Sequence, residues 1–225
     1  MQFKIRCSAI GEIMGIKGLG KTGEGYLQTW YKEQLYSRKK EFTSKYTDKG
    51  LIMEDDAIDL IAEHLQLGMI FKNEDFKENS FLQGTADIIL NDAVVEIKNS
   101  WDCFSFPLFD SDCPNKDYEW QCQGYMELWD KPKAYLVYCL MDAPESIIEQ
   151  EARRESYRMG YSELDMDLYE IVASKMTYSH LPIELRIKFF TIHRSEEAIT
   201  KIKERVDICY TYLQSIQLKP ELVNE

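Results

Sequence analysis

The stretch Gly84-Thr85-Ala86-Asp87-Ile88-Ile89-Leu90-Asn91-Asp92-Ala93-Val94-Val95-Glu96-Ile97-Lys98 holds two apolar runs on either side of Asn91-Asp92. Its period and β-branched content predict two strands, Phe81–Leu90 and Ala93–Lys98, joined as a hairpin by a two-residue turn. That turn sets the register: Leu90 faces Ala93, Ile89 faces Val94, Ile88 faces Val95, and Asp87 faces Glu96. Glu96 and Lys98 are two apart on one strand, so they share a face. Two carboxylates directly opposite each other destabilise a strand pair unless something positive lies between them. Ile88, Ile89, Val95 and Ile97 surround them, so water cannot easily absorb the repulsion. A divalent cation would, and hard oxygen donors suit Mg²⁺, with Mn²⁺ as a substitute. Lys98 beside them would orient, or help deprotonate, a water whose pKa the metal lowers. A lone Glu-x-Lys on a strand is most often a surface charge ladder. Asp87 in register is what changes that reading.

Outward from the hairpin, the helix expected over Leu51–Leu67 carries a third acid. Ile58, Ile61 and Leu65 follow Glu54 at i+4, i+7 and i+11, which aims Glu54 along the buried stripe. An inward carboxylate costs several kcal/mol unless it meets a cation or donors. The other reading is a rotated helix with Glu54 at its edge. Downstream, Gln121 and Tyr125 are i, i+4 neighbours on a helix expected over Tyr118–Trp129, with Asp117 as its cap and Pro132 after its end. An amide and a phenol so placed can contact phosphate or base edges without adding charge.

The rest of the chain reads as strands alternating with helices. Ser8 caps a short helix to about Met14, Gly15–Gly25 is a loop, and a helix covers Tyr26–Lys40. Ala134–Met141 has the length of a buried strand. A charged helical region follows over about Glu145–Met176, then a strand near Arg186–His193 and a helix from Ser195 to Ile216. This order predicts an α/β (α+β) fold with a mixed central sheet flanked by helices. We expect one domain, residues 1–225, with a helical C-terminal elaboration.

Composition agrees with a globular protein: 44% hydrophobic and 29% charged residues in 225. With neither a membrane-length apolar run nor a signal-peptide core, a cytoplasmic protein of a bacterial host cell is expected. Six scattered cysteines without a CxxC signal neither zinc nor an iron–sulfur cluster. The net charge of −12 argues at first against a nucleic-acid partner. Yet residues 1–50 hold ten Lys or Arg against five Asp or Glu, and the remainder 17 against 34. The basic fifth, with Tyr26, Trp30, Tyr31 and Tyr36, reads as one wall of a nucleic-acid channel or as a solvated helix with a core stripe.

Asp87, then Glu96-Ile97-Lys98, then Gln121-xxx-Tyr125, with an acid on an earlier helix, resembles the PD-(D/E)XK nuclease superfamily. More narrowly, the order is similar to viral recombination exonucleases of the lambda-exonuclease, YqaJ-like type. Cys7-Ser8-Ala9-Ile10-Gly11-Glu12-Ile13-Met14-Gly15, Thr85 and Tyr118-Glu119-Trp120-Gln121-Cys122-Gln123 also match, over roughly the first 140 residues. The resemblance implies a restriction-endonuclease-like fold and Mg²⁺-dependent hydrolysis of double-stranded DNA, typically from a 5′ end. It implies that Asp87 and Glu96 bind metal, with the Ile97 carbonyl as a further ligand. Lys98 would serve the attacking water, and Glu54 would be an outer acid holding metal or water. Ser8 and Thr85 would touch the terminal phosphate or backbone, while Gln121, Gln123 and Tyr125 line the cut strand. A ring-shaped homotrimer and a single-strand annealing partner are implied too. Two departures stand out: Ala86 precedes Asp87 in place of proline, and Asn99–Phe104 contains no Arg to hold a phosphate.

Three alternatives remain: an endonuclease of the same fold, a non-catalytic DNA-binding protein, and an ATPase. The last rests on Gly15-Ile16-Lys17-Gly18-Leu19-Gly20-Lys21-Thr22, which matches GxxxxGK[ST], with Val137–Met141 and Asp142 as its partner strand. A phosphate cradle needs a strand before the loop and a helix from the Lys-Thr. The expected helix before Gly15, and Gly23 and Gly25 after it, contradict both.

Overall fold

The computed structural model describes residues 3–40, 49 and 52–216. Strands β1 (Ile5–Arg6), β2 (Lys77–Glu78) and β3 (Leu82–Gly84) form a small sheet in the order β1-β3-β2. The larger sheet has the order β4-β5-β6-β7, from β4 (Ile88–Ile89), β5 (Ala93–Asn99), β6 (Lys133–Cys139) and β7 (Ile187–His193). It is mixed: β5 and β6 run parallel, while β4 and β7 pair antiparallel at its two ends.

The expected hairpin is present, with Ile88 opposite Val95 and Ile89 opposite Val94, closed by the Leu90 amide donating to the Ala93 carbonyl at 2.9 Å. The first expected strand, however, is two. The chain leaves the small sheet after Gly84 and joins the large one at Ile88, so Thr85, Ala86 and Asp87 form a crossing between sheets. Both halves are apolar and extended, and periodicity cannot register the change of partner.

The alternation along β6 divides the core. Ala134, Leu136, Tyr138 and Leu140 face one layer, and Val137, Cys139 and Met141 face the other. On the first side lie α1 (Ile10–Ile13), α2 (Gly20–Tyr36), α4 (Lys116–Trp129) and α7 (Glu196–Ser215). On the second lies α3 (Glu54–His64), whose Ile58 and Ile61 pack with Val95, Ile97 and Val137. Helices α5 (Glu145–Arg158) and α6 (Met166–Lys175) make a separate cluster around Ile147, Ile148 and Met176.

Several expected boundaries shift for local reasons. Ser8 caps nothing; it sits within a 3-10 turn, Cys7–Ala9, that precedes α1. Asn115, not Asp117, caps α4, its side chain accepting from the Asp117 amide at 2.9 Å. Helix α2 begins at Gly20, inside the stretch read as a loop, and stops at Ser37 in the left-handed conformation. Gly23 lies in that helix at a close approach, where a Cβ would meet the Glu12 carbonyl at 3.1 Å. Lys21-Thr22 therefore do open a helix, against expectation. The element before the loop is α1 rather than a strand, and Asp142 instead accepts from the Tyr178 and Ser179 amides. The helix expected from Leu51 begins at Glu54, with residue 51 itself outside the described residues.

Close packing of α4 on the N-terminal turn fixes the site. A Cβ on Gly124 would lie 2.6 Å from Ile10 Cδ1 and 2.9 Å from Cys7 Sγ. Gly124→Ala gains about 1 kcal/mol of helix propensity but loses about 1–3 kcal/mol to overpacking. We expect a net loss of stability, read as a lower Tm in calorimetry. The cysteines are all free; Cys7, Cys122, Cys139 and Cys209 are buried, Cys113 is half-buried and Cys103 exposed. Among the described residues no helix is long and apolar enough to cross a membrane.

Candidate active site

Continuing the hairpin one pair beyond Ile88–Val95 sets Asp87 beside Glu96. Asp87 Oδ2 accepts from the Ile97 amide at 2.7 Å. Its segment is strapped from the other side by Asn73, whose amide donates to the Asp87 carbonyl at 2.8 Å and whose Nδ2 donates to the Ala86 carbonyl at 2.9 Å. Glu96 is 3% exposed. It receives Lys98 Nζ at 2.6 Å and Gln121 Nε2 at 2.7 Å, both on Oε1. Lys98 also donates to Gln121 Oε1 at 3.3 Å and lies 4.3 Å from the centre of the Tyr118 ring. Gln121 Nε2 reaches the Tyr125 hydroxyl at 3.3 Å, so strand β5 and helix α4 are joined by one polar network.

The electrostatics of this network are unbalanced. Burial, then the charge of Glu96, pushes the Asp87 carboxyl well above its usual range; the Ile97 amide and Lys98 only partly oppose this, and Glu54 adds to it. Burial pulls the Lys98 ammonium down, but Glu96's charge and hydrogen bond outweigh it and the net shift is upward. The Lys98 ammonium is thus a donor to Glu96 and Gln121 at the edge of the site. Burial and Glu96 together also raise the Tyr125 phenol, so it stays neutral.

Glu96 Oε2 is buried with no hydrogen-bond partner among the described residues. A buried carboxylate oxygen left bare costs energy unless something binds it. With Asp87 adjacent, the donor set is that of a hard divalent cation, and Asp87, Glu96 and the Ile97 carbonyl are the groups that could hold one. Among the described residues, no three His, Cys, Asp or Glu side chains converge closely enough to make a metal cage by themselves. The third acid expected from the sequence, Glu54, already has a cation of its own. It is the first residue of α3, close enough for its charge to act on Asp87, but its carboxylate is bound by Lys72 at 2.7 Å. The apolar stripe of α3 is buried as expected, and the Glu54 side chain, 16% exposed, meets a cation in Lys72. Sequence reading missed Lys72, which sits in a stretch without period.

The remaining expected site residues divide. Ser8 and Thr85 are both exposed. They leave neighbouring strands two residues beyond the paired Arg6 and Gln83, so two hydroxyls emerge at one end of the small sheet. Gln123 is not part of the Glu96 network. Its Nε2 donates to the His193 carbonyl at 2.8 Å and its Oε1 accepts from the Ser195 amide at 2.9 Å, which spends both ends on the β7–α7 junction. Of the N-terminal aromatics, Tyr26, Trp30 and Tyr31 pack on the core, and Tyr36 is exposed. Lys32, Arg38, Lys39 and Lys40 line an open groove at the end of α2.

No protein-family model and no curated protein matches the sequence. Among solved structures, a phage-related exonuclease from Haemophilus somnus 129PT superposes with a TM-score of 0.77 at 27% identity, over 96% of each chain. An alkaline exonuclease from Laribacter hongkongensis, also solved in complex with dAMP, gives 0.65 at 13% identity, over 94% of this chain and 88% of that one. At 13% identity the likeness is one of fold. The structural neighbours are thus phage-related and alkaline exonucleases, the kind that the order of motifs resembles.

Proposed function

We propose that the chain is a Mg²⁺-dependent deoxyribonuclease that degrades double-stranded DNA from an end, in the 5′ to 3′ direction. The observation that carries the reading is the bare, buried Oε2 of Glu96 set beside Asp87 on a nuclease-like frame. Asp87, Glu96 and the Ile97 carbonyl would hold Mg²⁺, with Glu54 as an outer acid toward metal or water. Bound there, the cation would lower the pKa of the attacking water and stabilise charge on the phosphate. Lys98, fixed by Glu96 and Gln121, orients that water and places a full positive charge where negative charge develops. Gln121 holds Lys98 and Glu96 in one geometry, and Tyr125 in turn holds Gln121. Ser8 and Thr85 stand exposed to take a strand's terminal phosphate. The basic groove at the end of α2 offers the duplex a landing surface on an otherwise acidic protein. Assembly into a ring of three, with a single-strand annealing partner, would account for processive digestion.

The test is incubation of linear and covalently closed circular duplex with Mg²⁺, with EDTA, and with Glu96→Ala. We expect only the linear DNA to be lost, only with Mg²⁺ and the unaltered protein, and a 5′ label to be released before a 3′ label. Nicking of the circle would move the protein to the endonucleases. Intact DNA together with ATP hydrolysis would sink the reading.

A further inference from the structure

Lys72 is absent from every motif of the sequence, yet its ammonium lies 2.7 Å from Glu54 Oε2. Its position is built rather than casual. The neighbouring Asn73 makes two hydrogen bonds to the backbone of Ala86 and Asp87, which holds the 72–73 segment against the acid-bearing crossing between the sheets. The hydrogen bond to Glu54, and the nearby charges of Asp55 and Asp87, all favour the charged ammonium. Two cations, Lys72 and Lys98, thus serve three acids, and each takes one: Lys98 takes Glu96 and Lys72 takes Glu54.

The two pairs differ in exposure. The Glu96 side chain is 4% exposed and its partner Lys98 22%, whereas Glu54 is 16% and Lys72 41% exposed, so the cation is the open end of the second pair. A pair whose cation is that open is screened by solvent and contributes little. Glu54 is also the third acid expected at the metal site, and its charge already acts on Asp87. Building on the metal-site reading above, we propose that Lys72 is a displaceable counter-ion of Glu54. It holds that carboxylate in place in the metal-free protein and competes with the divalent cation for it. Lys72 is in this sense a positioning residue that sets how much metal the enzyme requires.

The test is direct Mn²⁺ binding, followed by the electron paramagnetic resonance of free Mn²⁺ without DNA or turnover, in the full chain. Lys72→Met keeps the stem and removes the competitor, so binding should tighten by about two- to five-fold, the worth of an exposed ion pair. Lys72→Arg can pair with Glu54 through two donors and should weaken binding. Glu96→Gln should bind Mn²⁺ far more weakly than either. If Glu96→Gln loses Mn²⁺ while Lys72→Met binds it unchanged or more weakly, the role given to Lys72 is wrong and the site stands. If Glu96→Gln binds as the unaltered protein does, the metal site itself is misplaced. A purely structural Lys72 would lower the melting temperature in both variants and leave the Mn²⁺ affinity alone.

Discussion

Asp87→Asn should abolish DNA cleavage and, in the same protein, raise the stability of the metal-free fold. Both effects come from one carboxyl group. Asp87 is pushed above its usual pKa first by burial and then by Glu96, so ionising it costs the folded state free energy. A folded-state pKa above the unfolded value means that the native chain binds more protons over that interval. The stabilisation is complete below the unfolded pKa, near 4, and is lost as pH rises through the folded value. Asparagine keeps an oxygen to accept from the Ile97 amide but never ionises. Each pKa unit is worth 1.36 kcal/mol, so the gain near pH 7 grows with the size of that upward shift. For a chain of this size the gain is read as about 2–4 °C in Tm per kcal/mol. The gain should shrink as pH is lowered toward 4, where the unaltered Asp87 is itself protonated. Thermal melts in EDTA across that range check the sign, and nuclease assays should show a loss of about three orders of magnitude or more, as expected when metal catalysis is removed. A variant that is inactive but less stable at pH 7 would mean that Asp87 is a structural partner.

Lys98→Ala should also end cleavage, but with the opposite effect on stability. It strips Glu96 of its ion pair and leaves only the Gln121 hydrogen bond on a carboxylate that is almost wholly buried. Breaking a fully buried pair costs about 3–5 kcal/mol. Because the Lys98 side chain is 22% exposed, solvent screening brings the expected cost nearer about 1–3 kcal/mol. Mg²⁺ should restore most of that loss, since a cation bound to Glu96 replaces the missing charge and ligand binding stabilises the folded state. The paired replacement Glu96→Gln with Lys98→Met removes both charges and should cost less than Lys98→Ala alone. Melting curves with and without Mg²⁺ separate these outcomes. Retained cleavage by Lys98→Ala would exclude it from the chemistry.

The sequence carried the hairpin and its register because a two-residue turn leaves strand pairing no freedom. Asp87 and Glu96 came together for that reason alone. Gln121 was legible for a similar one, since helical spacing aligned it with Tyr125; its bond to Glu96 depended on α4 lying over β5, which spacing does not encode. Gln123 shows the limit. Two residues along, it lies on another side of the helix and meets β7 and α7, which no local pattern announces. The single strand read over Phe81–Leu90 failed because a change of sheet leaves no mark on a continuous apolar run. Propensity makes the glycines before Tyr26 a loop, yet the helix starts at Gly20 and packs Gly23 against the Glu12 backbone. Lys72 could not have been found, for an irregular segment has no period from which to infer a direction. The part played by α7, which packs against the N-terminal helices through Ile199, Ile202 and Val206, likewise arises only in three dimensions.

The central claim is that Asp87 and Glu96 hold a divalent cation, and Mn²⁺ soaked into crystals of the protein tests it most directly. An anomalous difference peak within about 2.0–2.3 Å of carboxylate oxygens from both residues, absent in Glu96→Gln crystals, is the predicted result. A map without a peak there, with Glu96 still bound only by Lys98 and Gln121 at saturating Mn²⁺, would contradict it.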